Sequence, residues 1–131
     1  MNKLIRFAPI MLAVAAPLLW WSDAEAQSAG LTTDPDAQLL NSNQVLVSGT
    51  VPCQSGATVY IYVTLSQGGT TGYGYSSVQC DAYGQVAYDV AAASFDGTFH
   101  KGKAHPIVTA DVCSFFGCTP YFTARDVHVE E

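Results

Sequence analysis

The sequence predicts an all-β protein held together by two disulfide bonds. Apolar and polar residues alternate over several segments, which is the pattern of a strand with one buried face. Clusters of glycine, asparagine and serine separate these segments at intervals of roughly 8 to 12 residues, as in sandwiches of short strands. Four cysteines occur in the 131 residues, a number that indicates two crosslinks in an exported protein.

The first 26 residues have the pattern of a secretory signal peptide. Lys3 and Arg6 precede an apolar run from 7 to 21, and Ala24–Ala26 has the small-x-small form of a cleavage site. The apolar run is shorter than the roughly 20 residues that a membrane-spanning helix needs. We therefore expect a secreted protein, extracellular or periplasmic, that has no membrane contact after cleavage; an uncleaved anchor is the alternative.

An N-terminal segment is predicted at 27–43, before the main domain at 44–131. Its one strand-like stretch is Leu31–Pro35, and Pro35 would confine that strand to a sheet edge. Asn41–Asn43 is predicted to form the turn that leads into the domain.

Two strongly alternating strands form the centre of the predicted fold. Residues 44–53 and 57–65 are separated by the short turn 54–56, so we expect them to pair as an antiparallel hairpin. Their inward side chains are the apolar members of each alternation: Val45, Val47, Val51, Cys53, Ala57, Val59, Ile61, Val63 and Leu65.

Three further strands are predicted at 73–80, 86–90 and 104–113. Residues 91–102 form the longest irregular segment. The inward residues of these strands are Val78, Cys80, Val86, Tyr88, Val90, Val108, Ala110 and Val112.

The last strand, 119–129, contains a change of phase. Phe122 and Ala124 fall on one face by parity, whereas Val127 and Val129 fall on the other. A bulge near Arg125 would return both pairs to the core. With this strand the chain has about seven short strands and no helical period, which predicts an immunoglobulin-like antiparallel β-sandwich.

Cysteine spacing selects one of three possible disulfide pairings. Cys113 and Cys118 are separated by four residues that include Gly117. Opposed residues of a tight hairpin lie within disulfide reach, which leaves Cys53 to pair with Cys80. A four-thiolate zinc site, the alternative, favours C-x-x-C spacing, which this chain lacks.

Several of these motifs together resemble a known group of proteins. They are the V-x-V-x-G-T-V-x-C strand at 45–53, the strand from Ala57 to Gln67, V-Q-C-D at 78–81, F-H-K-G-K-A at 99–104 and V-C-S-F-F-G-C at 112–118. In this order they are similar to small exported immunoglobulin-like proteins of actinobacteria, over 45–129. The resemblance implies a fold and an exported location. The hairpin at 113–118 also resembles that of the neocarzinostatin-type apoproteins, from which no ligand residues carry over.

The charge of the chain argues against nucleic acid as a partner. The formal net charge is −6, and Lys101, Lys103 and Arg125 are the only lysines and arginines after residue 26. Binding phosphates requires a basic face. The acidity is otherwise typical of a soluble exported protein.

Outward tyrosines are the first candidate binding residues. Tyr60 and Tyr62 lie on one strand and Tyr73 and Tyr75 on the next, and together they would form an aromatic platform for a glycan or a protein. The alternative is that they are ordinary cross-strand pairs on a solvent face.

Phe115 and Phe116 are the second candidate, at the tip of the disulfide-closed hairpin. Two adjacent aromatic residues on a tight turn are difficult to bury together, and an exposed phenylalanine on a rigid tip would offer a contact for a partner. Alternatively, one ring folds back onto the sandwich.

Neither a metal site nor a catalytic centre is predicted. His100, His105 and His128 lack ligand spacing, and two lysines lie between the first two histidines. Ser94, Ser114 and the scattered aspartates match no motif of a nucleophile with a base and an orienting acid. We expect no cofactor and no enzymatic activity.

Three functional hypotheses follow. The leading one is a secreted, non-catalytic immunoglobulin-like module that binds a protein or glycan. The second is a carrier of a small apolar ligand, with a cavity lined by Phe95, Phe99, Phe116 and Phe122. The third is a protease inhibitor that presents the loop between Cys113 and Cys118. The oligomeric state and the partner are not indicated.

Overall fold

The computed structural model describes residues 30–81 and 84–131, and the predicted signal peptide at 1–26 lies outside them. The described residues form β-strands and no helix. Among them there is therefore no helix long and apolar enough to cross a membrane. The all-β class is confirmed. The strands are β1 Asp36–Asn41, β2 Gln44–Cys53, β3 Thr58–Gln67, β4 Thr70–Gln79, β5 Gly84–Ala93, β6 Gly102–Ser114, β7 Gly117–Ala124 and β8 Val127–Glu130.

The strands form one hydrogen-bonded sheet that closes on itself. β2 lies between β1 and β5, and β3 lies between β4 and β6, while β6 also pairs with β7 and β8. A parallel pairing of β1 with β8 and a bridge between Tyr73 and Ala93 join the two halves. One layer of β1, β2 and β5 thus faces a second layer of β4, β3, β6 and β7. Pairing β2 with β5 and β3 with β6 is the arrangement of an immunoglobulin-like sandwich.

The predicted hairpin between β2 and β3 is wrong. β2 pairs with β5 over its whole length, from Gln44 opposite Ala93 to Cys53 opposite Gly84, whereas β3 pairs with β4 and β6. The turn at 54–57 crosses from one layer to the other. Both strands still bury their apolar residues because the two layers face the same core, so alternation identifies the buried face without identifying the neighbouring strand.

The core contains nearly all of the side chains that alternation placed inside. Each fully buried valine, leucine or isoleucine contributes about 1.5 to 3 kcal/mol relative to an exposed one. The aliphatic residues with at most 1% exposure are Leu31, Val45, Val47, Val51, Val59, Ile61, Val63, Leu65, Val90, Ala92, Val108, Ala110 and Val129.

Both predicted disulfides are confirmed. Cys53–Cys80 lies in the core and links the end of β2 to the residue after β4, across 27 residues of sequence. Cys113–Cys118 closes the β6–β7 hairpin, with its Cα atoms 3.9 Å apart. Ser114 pairs with Gly117, so the turn itself is the dipeptide Phe115–Phe116.

Gly49 marks the point where the N-terminal segment packs on β2. The Tyr88 hydroxyl donates a hydrogen bond to the carbonyl oxygen of Thr32 at 2.8 Å and lies 3.2 Å from Oγ1 of Thr33. A Cβ atom on Gly49 would overlap that carbonyl oxygen and lie 2.7 Å from the Tyr88 hydroxyl. Glycine is therefore required where β2 would otherwise place a fifth inward side chain.

The packed domain includes residues before 44. Leu31 is fully buried, and the amides of Thr32 and Asp34 donate hydrogen bonds to the carbonyls of Thr50 and Ser48 at 2.9 and 2.8 Å. The strand β1 begins after the predicted stretch 31–35. Pro35 lies at the crossing toward β8, where its carbonyl accepts a hydrogen bond from the amide of His128.

The predicted bulge near Arg125 is also wrong. Ala124 pairs with Ile107 and Val127 pairs with Ala104, so β7 and β8 keep one register along β6 despite the break between them. The buried residues are Thr123, Val127 and Val129, and Phe122 lies on the outer face. The apolar character of Phe122 had suggested burial, but a buried threonine occupies the inward position.

Candidate functional site

The outward side of β4, β3, β6 and β7 carries most of the exposed aromatic residues of the sandwich, and we call it the aromatic face. Its side chains lie in three rows that run across the strands. The central row is Tyr75, Tyr62, Thr109 and Phe122; the rows beside it are Ser77, Tyr60, Asp111 and Pro120, and Tyr73, Thr64, Ile107 and Ala124.

All four tyrosines named from the sequence belong to this face. The rings of Tyr62 and Tyr75 are cross-strand neighbours with centroids 5.0 Å apart and planes tilted by 41°. Exposure is 47% for Tyr62, 56% for Tyr75 and 59% for Tyr73, and Tyr60 is half-buried. An aromatic cross-strand pair contributes roughly 0.2 to 1 kcal/mol to the sheet, and these rings contribute it while remaining accessible to a ligand.

Two members of the aromatic face were not predicted from the sequence. Ile107 and Phe122 are each 37% exposed. On β6, Ile107 falls on the same side as the outward Cys113, an even number of positions away. Phe122 is next to Thr123, which has the parity of the buried Val127, so Phe122 falls on the outward side. Parity along each strand would therefore have identified both residues.

The three rows carry almost no charge. Asp111 is the single charged side chain among their described residues. The nearest ion pairs lie beyond the end of the rows, where Asp126 contacts Nδ1 of His105 at 2.8 Å and Nζ of Lys103 at 3.5 Å. The hydrogen bond from His105, followed by the positive charge of Lys103, lowers the pKa of Asp126 below its usual value.

Phe115 and Phe116 form an exposed tip at one end of the aromatic face. They are 94% and 93% exposed, and their rings meet edge to face with centroids 5.4 Å apart. Neither ring folds back onto the sandwich. Cys113 and Cys118 lie in register with the outward residues of β6 and β7, so the disulfide borders the aromatic face below the tip.

The predicted phenylalanine cavity is not assembled. Phe95 is 92% exposed, Phe116 is exposed at the opposite end of the sandwich, and Phe99 is buried against Gly72. Phe116 borders a groove of about 280 Å³ between Pro52 and Tyr121. These phenylalanines therefore do not line a common cavity.

The histidines are dispersed. His105 contacts Asp126, Nδ1 of His100 lies 2.9 Å from the carbonyl oxygen of Lys101, and His128 lies on β8. Among residues 30–81 and 84–131, no three histidine, cysteine, aspartate or glutamate side chains are placed to hold a metal ion.

The two serines considered as nucleophiles stabilise turns. Ser94 Oγ accepts a hydrogen bond from the amide of Gly97 at 3.1 Å, and Ser114 Oγ accepts one from the amide of Phe116 at 3.2 Å. Such bonds are the usual role of serine in turns.

Comparison with known proteins adds no family to this geometry. No protein-family model matches the chain, and no curated protein is similar to it at a significant level. The functional interpretation therefore rests on the aromatic face itself.

Proposed function

We propose that the protein is a secreted, non-catalytic immunoglobulin-like module that binds its partner on the aromatic face. The observation that carries the proposal is the exposure of Tyr62, Tyr73 and Tyr75 on one side of the four-stranded layer. Tyrosine suits a binding surface because its ring is rigid and amphipathic and loses little conformational entropy when it binds.

The outer side of the other layer supports the proposal by contrast. Its positions on β2 and β5 include Ser48 opposite Asp89 and Thr50 opposite Ala87. Ser48 donates a hydrogen bond to Asp89, and Thr50 contacts Thr32 at 2.8 Å. This fold thus forms a stable outer face from small and polar residues, so the tyrosines of the aromatic face are not a requirement of the fold.

Export is supported by the predicted signal peptide and by the two disulfides. Disulfides persist in oxidising compartments and are rare in the cytosol. A net charge of −6 favours partners other than nucleic acid.

A binding screen tests the proposal. The mature protein is incubated with secreted proteins and cell-wall glycans of the source organism, and any interaction is measured again with Tyr62→Ala/Tyr75→Ala. Because the two rings lie at the centre of the face, we expect the double variant to bind at least roughly tenfold more weakly.

Gln38→Ala/Gln85→Ala is the matched control. Both glutamines are exposed on the outer side of the other layer, and the control should bind as the unmodified protein does. Equal binding by the tyrosine variant and the unmodified protein would contradict the proposal.

The tip favours one second candidate, a protease inhibitor that presents Phe115 and Phe116. Both rings are fully accessible on a turn closed by a disulfide. Inhibition of serine and cysteine proteases by the unmodified protein, lost in Phe115→Ala/Phe116→Ala, would support it. The absence of inhibition across such a panel would dismiss it.

A further inference from the structure

The central row of the aromatic face has the dimensions of an extended sugar chain. Neighbouring strands lie about 4.8 Å apart, and the ring centroids of Tyr62 and Tyr75 are 5.0 Å apart. An extended chain of β-linked pyranose rings repeats at a similar distance. The four positions from Tyr75 to Phe122 therefore span about 14 Å across the strands, which is close to three such rings.

The tilt between the tyrosine rings indicates which form of chain fits. The two planes differ by 41°, so a flat crystalline surface cannot lie on both rings at once. A single soluble chain can rotate about its linkages and follow them. The geometry therefore favours a dissolved polysaccharide over a crystalline one.

The row beside the tyrosine pair supplies hydrogen-bonding groups for sugar hydroxyls. Ser77, Tyr60 and Asp111 lie in register next to Tyr75, Tyr62 and Thr109. The hydroxyls of Ser77 and Tyr60 both donate and accept, and the carboxylate of Asp111 accepts. A pyranose ring presents an apolar face and a rim of hydroxyls, so it matches an aromatic row flanked by polar side chains.

The charge of the face excludes acidic sugars. Asp111 is the single charged group in the three rows, and Lys103 lies beyond their end, 3.5 Å from Asp126. An anionic polysaccharide would meet a carboxylate with no cation beside it. A neutral chain meets no such repulsion.

We infer that the aromatic face binds a single chain of a neutral, β-linked polysaccharide that lies across the strands along the row from Tyr75 to Phe122. This inference rests on the proposed binding function and names the class of its ligand. Tyr62 and Tyr75 stack against the sugar rings, and Tyr60 and Asp111 bond to the hydroxyls at their edge.

Affinity electrophoresis with soluble polysaccharides tests the inference. The mature protein is run through gels that contain mixed-linkage β-glucan or hydroxyethyl cellulose, with dextran as the α-linked comparison and alginate as the anionic one. We expect retardation in the first two gels only. Raising the salt from about 0.05 to about 0.5 M should leave the retardation unchanged, because no ion pair is screened.

Variants locate the binding. Tyr62→Ala should weaken it roughly tenfold through the loss of stacking, and Asp111→Asn should weaken it by about two- to threefold, because an amide accepts hydrogen bonds less strongly than a carboxylate. Gln38→Ala/Gln85→Ala serves as the control. Thermal unfolding of each variant establishes that it is folded.

Different negative results of these binding experiments distinguish an error in this inference from an error in the proposed function. If no neutral polysaccharide binds, but a protein partner binds the unmodified protein and not Tyr62→Ala/Tyr75→Ala, the inferred ligand class is wrong and the proposed binding face is supported. Equal retardation by dextran or alginate also overturns the ligand class. If a β-glucan binds and the tyrosine variant binds it equally well, the aromatic face is wrong and both proposals fail.

Discussion

The interior and the aromatic face use the same residue types in opposite ways. Tyr88 is 3% exposed and its hydroxyl contacts Thr32 and Thr33, whereas Tyr62 and Tyr75 keep about half of their surface exposed. The two disulfides differ in the same sense, since Cys53–Cys80 lies in the core and Cys113–Cys118 lies outside it. Burial and hydrogen-bond partners, rather than residue type, thus distinguish the structural role of Tyr88 from the binding role that we propose for Tyr62 and Tyr75.

The largest effect should come from the buried disulfide. Replacing Cys53 and Cys80 together by alanine releases the longer loop, and the chain-entropy model predicts a loss of about 3.5 kcal/mol. The loss of buried sulfur atoms adds to it. Chemical denaturation should therefore show a large fall in the free energy of unfolding. A loss below about 1 kcal/mol would show that the interior does not depend on this bond.

The exposed disulfide should matter less for stability. Cys113→Ala/Cys118→Ala opens a short loop, because the two cysteines are only five positions apart in the sequence. For a loop of this length the same model predicts a loss of about 2 kcal/mol in the free energy of unfolding. Partial reduction followed by mass spectrometry should also open this bond first, because reductant reaches it more readily. If Cys53–Cys80 is reduced first, the assignment of inner and outer disulfides is contradicted.

Tyr88→Phe should lower the free energy of unfolding at neutral pH by about 1 to 2 kcal/mol, because Thr32 and Thr33 lose a buried partner. Burial raises the pKa of Tyr88 to about 12, against the hydrogen bond from Thr33, which lowers it. At pH values between about 10, the ordinary pKa of tyrosine, and about 12, the unfolded chain binds fewer protons than the folded one. The contribution of Tyr88 to the free energy of unfolding therefore falls as the pH rises through this range.

Denaturation of both proteins across this range measures that dependence. The advantage of the unmodified protein over the Tyr88→Phe variant should be complete below pH 10 and should narrow as the pH approaches 12. A constant difference would mean that Tyr88 does not titrate in the folded protein as its burial implies.

The smallest change in stability should come from the aromatic face. Tyr62→Ala/Tyr75→Ala removes one exposed cross-strand pair, worth roughly 0.2 to 1 kcal/mol. Thermal unfolding should show a small decrease in Tm, although we expect the variant to bind its partner at least roughly tenfold more weakly. A decrease as large as that for Cys53→Ala/Cys80→Ala would assign these tyrosines to the structure instead.

Local patterns predicted the strands and their buried faces well, because the side-chain period of a strand depends on adjacent residues only. Strand pairing was harder. The partner of Val47 on β2 is Val90 on β5, which lies 43 positions later, and nothing in the local pattern of β2 specifies it. The two disulfides were predictable because a five-residue spacing leaves a hairpin as the simplest solution.

The candidate site was predicted in part. The tyrosines were identified from outward parity, but Phe122 was assigned to the core because apolar residues are usually buried. The role of Gly49 was not predictable, since it depends on the hydroxyl of Tyr88 and on the path of the chain at Thr32. These contacts join segments that are far apart in the sequence.

The positions of the described chain ends suggest how to immobilise the protein. Gly30 lies beside Pro52, at the end of the sandwich that also carries the Phe115–Phe116 turn. Glu131 follows β8, whose Val129 pairs with Gly102 at the opposite end. A tether attached at Glu131 would therefore point the hairpin away from a solid support and leave the flank with the tyrosines open to solution, whereas a tether attached at Gly30 would bring the hairpin toward the support.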